Sequence, residues 1–457
     1  MTSTASNSAP DYALSVTSSV VQTSAAGDRQ QSKPNVSFEY GAGQSSLAVE
    51  VNPARLRQTL TGIGTSFTEA SAFVLAHLEP AQRVEVMKQI FAEEGANFSL
   101  ARTPIGATDF SVEGRYSYAD TPDDSDLSHF SIDVDRDGFD TGRHPGIRDT
   151  AYDLLPMIQE ALAIKATQQD SALRIMASAW TAPAWMKDIE DWYQPGLGEH
   201  GHAGTGGRLK PEYEGLYADY LLRYLDAYRE AGVPVWALTP VNEPLGNNGQ
   251  WESMHFSAES QRDFIKHHLG PKLHAGGYAD LELYMLDHSR PDLPHWAEVI
   301  YSDPDCAQYV SGAAVHWYES TFKVYEDVFD AVHAKYPDYA IVHSEGCIDD
   351  LGKPAPEGIL DPAGYQEENW FDNDEFWWGP NASDWAYSAT WPGVDASDHP
   401  LYTPTHRYAR NIIVSLNHWV TGWIDWNIVL DARGGPNHVG NYCGAPIMID
   451  TDSGRVY

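Results

Sequence analysis

The sequence predicts an α/β protein built on a (β/α)8 TIM barrel. Three observations carry that prediction. Eight short apolar, β-prone runs recur along the chain, at 60–67, 98–105, 173–180, 235–242, 281–288, 310–317, 339–345 and 422–429. Helical patterns fall between them, and strands that alternate with helices imply a parallel sheet. Two of the runs lead into a glutamate, Glu243 and Glu345, at the strand ends where such barrels collect their functional groups.

Residues 1–34 are rich in Ser, Thr and Ala, and this composition predicts a disordered N-terminal segment. Residues 35–57 read as β-strands of a side domain. Val36-Ser37-Phe38-Glu39-Tyr40, a Gly-rich turn and Ser46-Leu47-Ala48-Val49-Glu50-Val51 form a hairpin pattern with one face to bury. A lone hairpin is marginal, so it needs partners from elsewhere. The barrel occupies 58–445, with helices expected at 80–94, 152–164, 212–231, 257–269 and 321–336. Two long loops, 106–148 and 348–406, follow strand ends and so belong to the catalytic face. The second carries Trp370, Phe371, Phe376, Trp377, Trp378, Trp385, Tyr387 and Trp391. It reads equally as a set of sugar-stacking subsites or as a loop packed by its own aromatics. Residues 446–457 read as a strand, a turn at 451–454 and a return strand. With no helix after the eighth barrel strand, they are expected to be the start of a truncated C-terminal β segment.

Composition narrows the function. Asp and Glu number 65 against 29 Lys and Arg, for a formal charge of −36, a field that repels nucleic acid and anionic membranes. A neutral substrate suits it better than a phosphorylated one. The 15 Trp and 25 Tyr suit both a large core and stacking on the C–H face of a pyranose. Cys306, Cys347 and Cys443 are too few and too scattered for a disulfide framework or a zinc set. Cys347, two residues after Glu345, reads as a small buried filler. The N-terminus lacks a signal-peptide pattern and no apolar run reaches transmembrane length. The expected location is therefore cytoplasmic, or secreted or periplasmic if translation starts further upstream. No pattern sets an oligomeric state. Asp133-Val134-Asp135-Arg136-Asp137-Gly138 imitates the start of a calcium loop, but its twelfth position is His144, so it reads as a solvated acidic loop. Gly62 and Gly64 lack dinucleotide spacing. No cofactor and no metal is expected.

The carboxylates point to chemistry. Glu243 stands in Val241-Asn242-Glu243-Pro244 and Glu345 in His343-Ser344-Glu345-Gly346-Cys347. A retaining glycosidase needs one carboxylate ionised as nucleophile and one protonated to assist the leaving group. Two Glu after the fourth and seventh strands of one barrel supply that pair, and Asn242 can donate to the sugar 2-hydroxyl.

From about residue 58 onward the chain resembles glycoside hydrolase family 30, which includes acid β-glucosylceramidase and microbial β-1,6-glucanases. The stretches that carry the resemblance are Thr61-Gly62-Ile63-Gly64 with Phe67-Thr68-Glu69-Ala70, and Tyr116-Ser117-Tyr118-Ala119-Asp120-Thr121-Pro122-Asp123-Asp124. They continue in Ala179-Trp180-Thr181-Ala182-Pro183, Val241-Asn242-Glu243-Pro244, Val315-His316-Trp317-Tyr318 and Ser344-Glu345-Gly346-Cys347. The last are Gly422-Trp423-Ile424-Asp425-Trp426-Asn427 and Gly434-Gly435-Pro436-Asn437. The resemblance implies a barrel with a β-sandwich side domain built from the chain ends. It implies that Glu243 is the acid/base and Glu345 the nucleophile. Trp180, Asn242, Tyr318 and Trp426 would line a glucose subsite, and His316 would order the nucleophile. Glu69 would stand where a family member uses Asp to grip the far hydroxyls, and Asn441 would reach the sugar from a loop. The implied activity is a glucosylceramidase-like retaining hydrolase that converts glucosylceramide to glucose and ceramide. A β-1,6-glucanase acting on soluble glucan is the alternative, and an inactive truncated carbohydrate-binding remnant is the alternative of another class.

Overall fold

The computed structural model describes residues 17–24, 26, 28, 31–37, 49, 51–112, 114–169, 172–194, 205–246, 250–319, 323–348 and 404–457. The chain divides into two units, Met1–Leu56 and Arg57–Tyr457.

Among its described residues the first unit holds one antiparallel pair, β1 (Thr17–Gln22) and β2 (Gln31–Ser37). This pair lies largely within the segment expected to be disordered, and of the hairpin expected at 36–51 residues 38–48 and 50 lie outside the described residues. The residues of the pair are mostly exposed, so no buried face imprints an alternating pattern on the sequence. Val49 and Val51, which suggested a strand, are exposed and lie outside any strand.

The second unit is a closed barrel of eight parallel strands, as predicted. The strands are β3 (Gly62–Ser66), β4 (Leu100–Ile105), β5 (Arg174–Ala179), β6 (Ala237–Thr239), β7 (Glu282–Ser289), β8 (Gly312–His316), β9 (Ala340–Glu345) and β10 (Val420–Asn427). They pair in chain order, and β10 closes on β3. Gly64 sets the spacing of the neighbouring β3–β4 pair. A Cβ there would lie 1.5 Å from the Leu100 carbonyl oxygen, so only glycine lets β3 approach β4 this closely.

Among the described residues the α-helices between strands are α1 (Glu69–Ala76), α2 (Pro80–Phe91), α3 (Leu154–Ala166), α4 (Glu214–Glu230), α5 (Ala258–Phe264), α6 (Gly270–Ala275), α7 (Leu293–Tyr301), α8 (Pro304–Ala307), α9 (Glu326–Lys335) and α10 (Pro404–Asn417). Helix α4 shows why they dock. Tyr217, Tyr220, Leu221, Tyr224, Leu225 and Tyr228 recur at three- and four-residue spacing and are all buried, one stripe against the barrel. Helix α1 escapes a periodicity search because seven of its eight residues are buried, so it has no polar face.

After β10 come three short strands, β11 (Val429–Asp431), β12 (Ile447–Asp450) and β13 (Arg455–Val456), in one small sheet. The predicted terminal strand, turn and return strand are present. Met448 and Ile449 are buried. Among the described residues no helix is long and apolar enough to cross a membrane.

Candidate active site

Every second side chain of a barrel strand points inward. One inward set is apolar and packs as a cluster of its own: Leu100, Met176, Ala237, Tyr284, Ala314, Val342 and Ile424. Two residues further along, the same faces of six strands present Arg102, Ser178, Thr239, His316, Ser344 and Trp426, and all are buried. The interior therefore changes from apolar plug to polar floor towards the strand C-termini. On β7 the register shifts between Leu286 and His288, and Leu286 and Asp287 take positive φ of 70° and 59°. This bulge turns Asp287 into the floor.

Asp287 is the hub of that floor. Its Oδ2 accepts from Arg102 Nη2 at 2.8 Å and from Thr239 Oγ1 at 2.6 Å. Its Oδ1 accepts from Ser344 Oγ at 2.7 Å and meets His316 Nε2 at 3.0 Å. Arg102 uses its other donors on Ser178 Oγ at 2.9 Å, Asn242 Oδ1 at 2.6 Å and Oε2 of Glu345. Tyr318 donates its hydroxyl to Oε1 of Glu345 at 3.0 Å. Glu345 is thus bound on both oxygens, by Arg102 and Tyr318. The guanidinium lies beneath Trp180 and Trp426, at 4.8 and 5.7 Å from the ring centres, and the two indoles stack 5.2 Å apart.

Glu243 has a different surrounding. It comes after β6, and its φ of 47° is unusual for a residue with a side chain. Its backbone N–H donates to the Asp287 carbonyl at 2.9 Å, which holds that conformation. Its Oε1 meets His316 Nδ1 at 3.2 Å and lies 3.9 Å from His288 Nδ1. Asp287, His316 and Glu243 therefore form a chain of contacts through one imidazole.

These contacts set the charges. Burial opposes ionisation of Asp287, but Arg102 and His316 outweigh it and hold the carboxyl well below its usual range. Burial likewise opposes a charge on His316, yet the negative charge of Glu345 and the hydrogen bonds to Asp287 and Glu243 lift it to about 10. Burial raises Glu345, while His316 and Arg102 pull it back part-way. Burial also opposes ionisation of Glu243, but the His316 hydrogen bond and the nearby cationic groups outweigh it and hold the carboxyl below its usual value. At neutral pH the imidazolium of His316 thus shares its Nδ1 proton with Glu243.

A second polar group comes from loops. Asp109, buried in the loop after β4, accepts from Asn441 Nδ2 at 3.1 Å and Asn437 Nδ2 at 3.3 Å. Burial pushes its carboxyl up to about 7, and Glu345 adds to that push. His438 Nε2 lies 3.2 Å from the buried Glu252. Next to Asp109, Phe110 packs edge-on against Trp426 at 5.9 Å.

Comparison with known proteins decides the ancestry. The profile of the glycosyl hydrolase family 30 TIM-barrel domain matches residues 60–355 and 387–457. This chain belongs to glycosyl hydrolase family 30. The lysosomal acid glucosylceramidase of Mus musculus is 30% identical over 90% of this chain and 68% of its own length. The endo-1,6-beta-D-glucanase of Neurospora crassa is 27% identical over 78% of this chain and 65% of its own. The chain thus spans about two thirds of the length of these relatives. The crystal structure of SrfJ from Salmonella typhimurium superimposes with a TM-score of 0.73 at 26% identity, covering 97% of this chain and 81% of that one.

Within this family 30 barrel, Arg102 brings Glu345, Asn242, Trp180 and Trp426 together, Tyr318 bonds Glu345, and Glu243 meets the same floor through His316. The indoles are almost wholly buried and cover Arg102. Three expectations change. His316 bonds Glu243 rather than Glu345, because β8 aims its Nδ1 at the β6 side of the floor. Glu69 starts α1 and accepts from the Val112 N–H at 3.1 Å, with Asp153 and Asp135 as its charged neighbours. It braces the loop, and the carboxyl that feels the Glu345 charge is that of Asp109. Asn441 donates from its Nδ2 to Asp109. The acidic loop is not solvated throughout, since Asp135 is buried under the Tyr118 and Tyr228 hydroxyls at 2.7 and 2.6 Å. The aromatic cluster at 370–391 lies outside the described residues.

Sequence reasoning missed Arg102, Asp287 and Asp109. A signal existed for the first two: each is a charge inside an apolar strand run, and a buried strand does not hold an unpaired charge.

Proposed function

We propose that this chain is a retaining β-glycosidase that cleaves a neutral β-glucoside by double displacement, with glucosylceramide as the substrate. The observation that supports this most is the unequal setting of the two glutamates. Glu345 is bound on both oxygens, by Arg102 and Tyr318, and both donors favour its carboxylate against the burial that raises it. Glu243 shares a proton with His316, as an acid/base requires.

In the first step Glu345 attacks the anomeric carbon while Glu243 relays the Nδ1 proton of the His316 imidazolium to the glycosidic oxygen, which leaves Glu243 a carboxylate and His316 neutral. Asp287 holds His316 in orientation throughout. In the second step Glu243 takes a proton from water and passes it back to His316 Nδ1, while the water displaces the glucosyl group from Glu345. Asn242 has its Oδ1 committed to Arg102, so Nδ2 is the donor it offers to the 2-hydroxyl. Asp109 offers a carboxyl to the more distant hydroxyls.

The β-1,6-glucanase reading is favoured by one observation, the −36 charge, which suits a soluble glucan better than a substrate held at an anionic lipid surface. Assaying glucosylceramide and a β-1,6-glucan in parallel separates the two. Glucose release from glucosylceramide alone supports the first, and release of sugar from the glucan alone overturns it. An inactive remnant would turn over neither, nor any aryl β-glucoside. The intact hydrogen bonding around both carboxylates speaks against it.

A further inference from the structure

We propose that Glu243, His288 and His316 also form a binding site for a divalent transition-metal ion such as Zn2+, and that the ion inhibits the enzyme by occupying the proton-transfer position. The inhibition rests on reading Glu243 as the acid/base; the binding does not.

Three features support the site. The first is geometry. The three side chains offer donor atoms within 4.8 Å of one another. Oε1 of Glu243 lies 3.2 Å from His316 Nδ1 and 3.9 Å from His288 Nδ1. Tetrahedral zinc with bonds of about 2.0–2.1 Å sets its ligands about 3.3 Å apart, so a small turn of the His288 ring completes the set.

The second is the outer support. His316 Nε2 is held by Asp287 at 3.0 Å. A carboxylate behind a ligating imidazole fixes the ring and raises its basicity, the usual support of a histidine on zinc. Asp287 is itself anchored by Arg102, Thr239 and Ser344, so the ring has little freedom.

The third is an unanswered donor. His288 Nδ1 is buried and meets no hydrogen-bond partner among the described residues. The β7 bulge that brings Asp287 into the floor places His288 beside Glu243, and because the Glu243 carboxylate is itself an acceptor, a lone pair there is answered by a cation. Charge agrees: the centre holds the carboxylates of Glu243, Glu345 and Asp287 against one permanent cation, Arg102. When the ion binds, the proton on His316 Nδ1 leaves to solvent and a dication takes its place, with water as fourth ligand. Glu243 can then neither hold nor deliver a proton.

The test is equilibrium dialysis of the metal-stripped full chain against Zn2+, with His288→Asn and Glu243→Gln measured beside it and melting curves to confirm folding. One ion per chain is expected. Binding should weaken at least about tenfold in each variant, the scale on which even outer partners of zinc ligands act. Co2+ in place of Zn2+ should give the visible absorption of a tetrahedral site in the wild type and lose it in His288→Asn. Zn2+ should abolish turnover, and a chelator should restore it. Absence of stoichiometric binding, or equal binding in folded variants, overturns the site. Binding that depends on both residues but leaves turnover intact overturns the inhibition, and with it the acid/base reading of Glu243.

Discussion

Arg102 and Asp287 form an ion pair in the barrel floor at 2.8 Å with no exposure on either side chain. The same guanidinium reaches Glu345 and Asn242, so one residue positions the proposed nucleophile, the proposed 2-hydroxyl donor and the anchor of His316.

Removing that cation should be costly twice over. Arg102→Met leaves two buried carboxylates without their partner, and breaking such a pair destabilises by about 3–5 kcal/mol. A chemical denaturation series should show the loss. Arg102→Lys restores the charge but not the fork, so it should recover stability more fully than kcat.

His316 should matter most when the leaving group is poor. In His316→Asn, Glu243 loses the partner that resupplies its proton. Turnover of alkyl β-glucosides should fall by about 10²–10⁴, the usual worth of general acid catalysis. Glucosides with acidic phenol leaving groups should be far less affected. Equal losses across a leaving-group series would place His316 in a purely structural role.

Asp109 and Glu69 separate binding from bracing. Asp109→Ala should lower kcat/KM by about 10–100-fold, the scale of a charge-assisted hydrogen bond. Glu69→Gln keeps the shape and the hydrogen bond to Val112, so its kinetics should stay near wild type.

Stability should fall as pH rises. Burial lifts the carboxyls of Glu69 to about 8, Asp153 to about 7 and Asp135 to about 6. Between the unfolded values near 4 and these folded values, the unfolded chain gives up protons that the folded chain keeps. Stability is then full below about pH 4 for these groups and declines up to about pH 8. Melting temperatures measured across that window should drop, and Glu69→Gln with Asp153→Asn should flatten the drop.

The barrel was legible because its strands are buried on both faces and announce themselves as apolar runs, and because α4 writes its tyrosine stripe into the sequence. Glu243 and Glu345 were legible because each stands at the end of such a run. Arg102 was not, since its meaning depends on which face of β4 points inward, and only closure of the barrel fixes that parity. Asp287 needed a bulge that no composition rule announces. Asp109 was one acid among many in a long loop, and its partner Asn441 arrives from more than three hundred residues away. Glu69 was drawn to the site by its neighbours in sequence, whereas the start of α1 turns it towards Val112.

Everything proposed for the reaction depends on Glu345 forming the bond to the sugar while Glu243 handles the proton. Mass spectrometry of the chain treated with a 2-deoxy-2-fluoro-β-glucosyl fluoride tests that division of labour at the atoms concerned. The activated leaving group of this reagent allows the first step, and the fluorine slows the second. One fluoroglucosyl group per chain is expected, on the peptide that contains Glu345, with Glu243→Ala still labelled and Glu345→Gln not. Label on Glu243, or a hydrolysis product of inverted configuration, would show the assignment to be wrong.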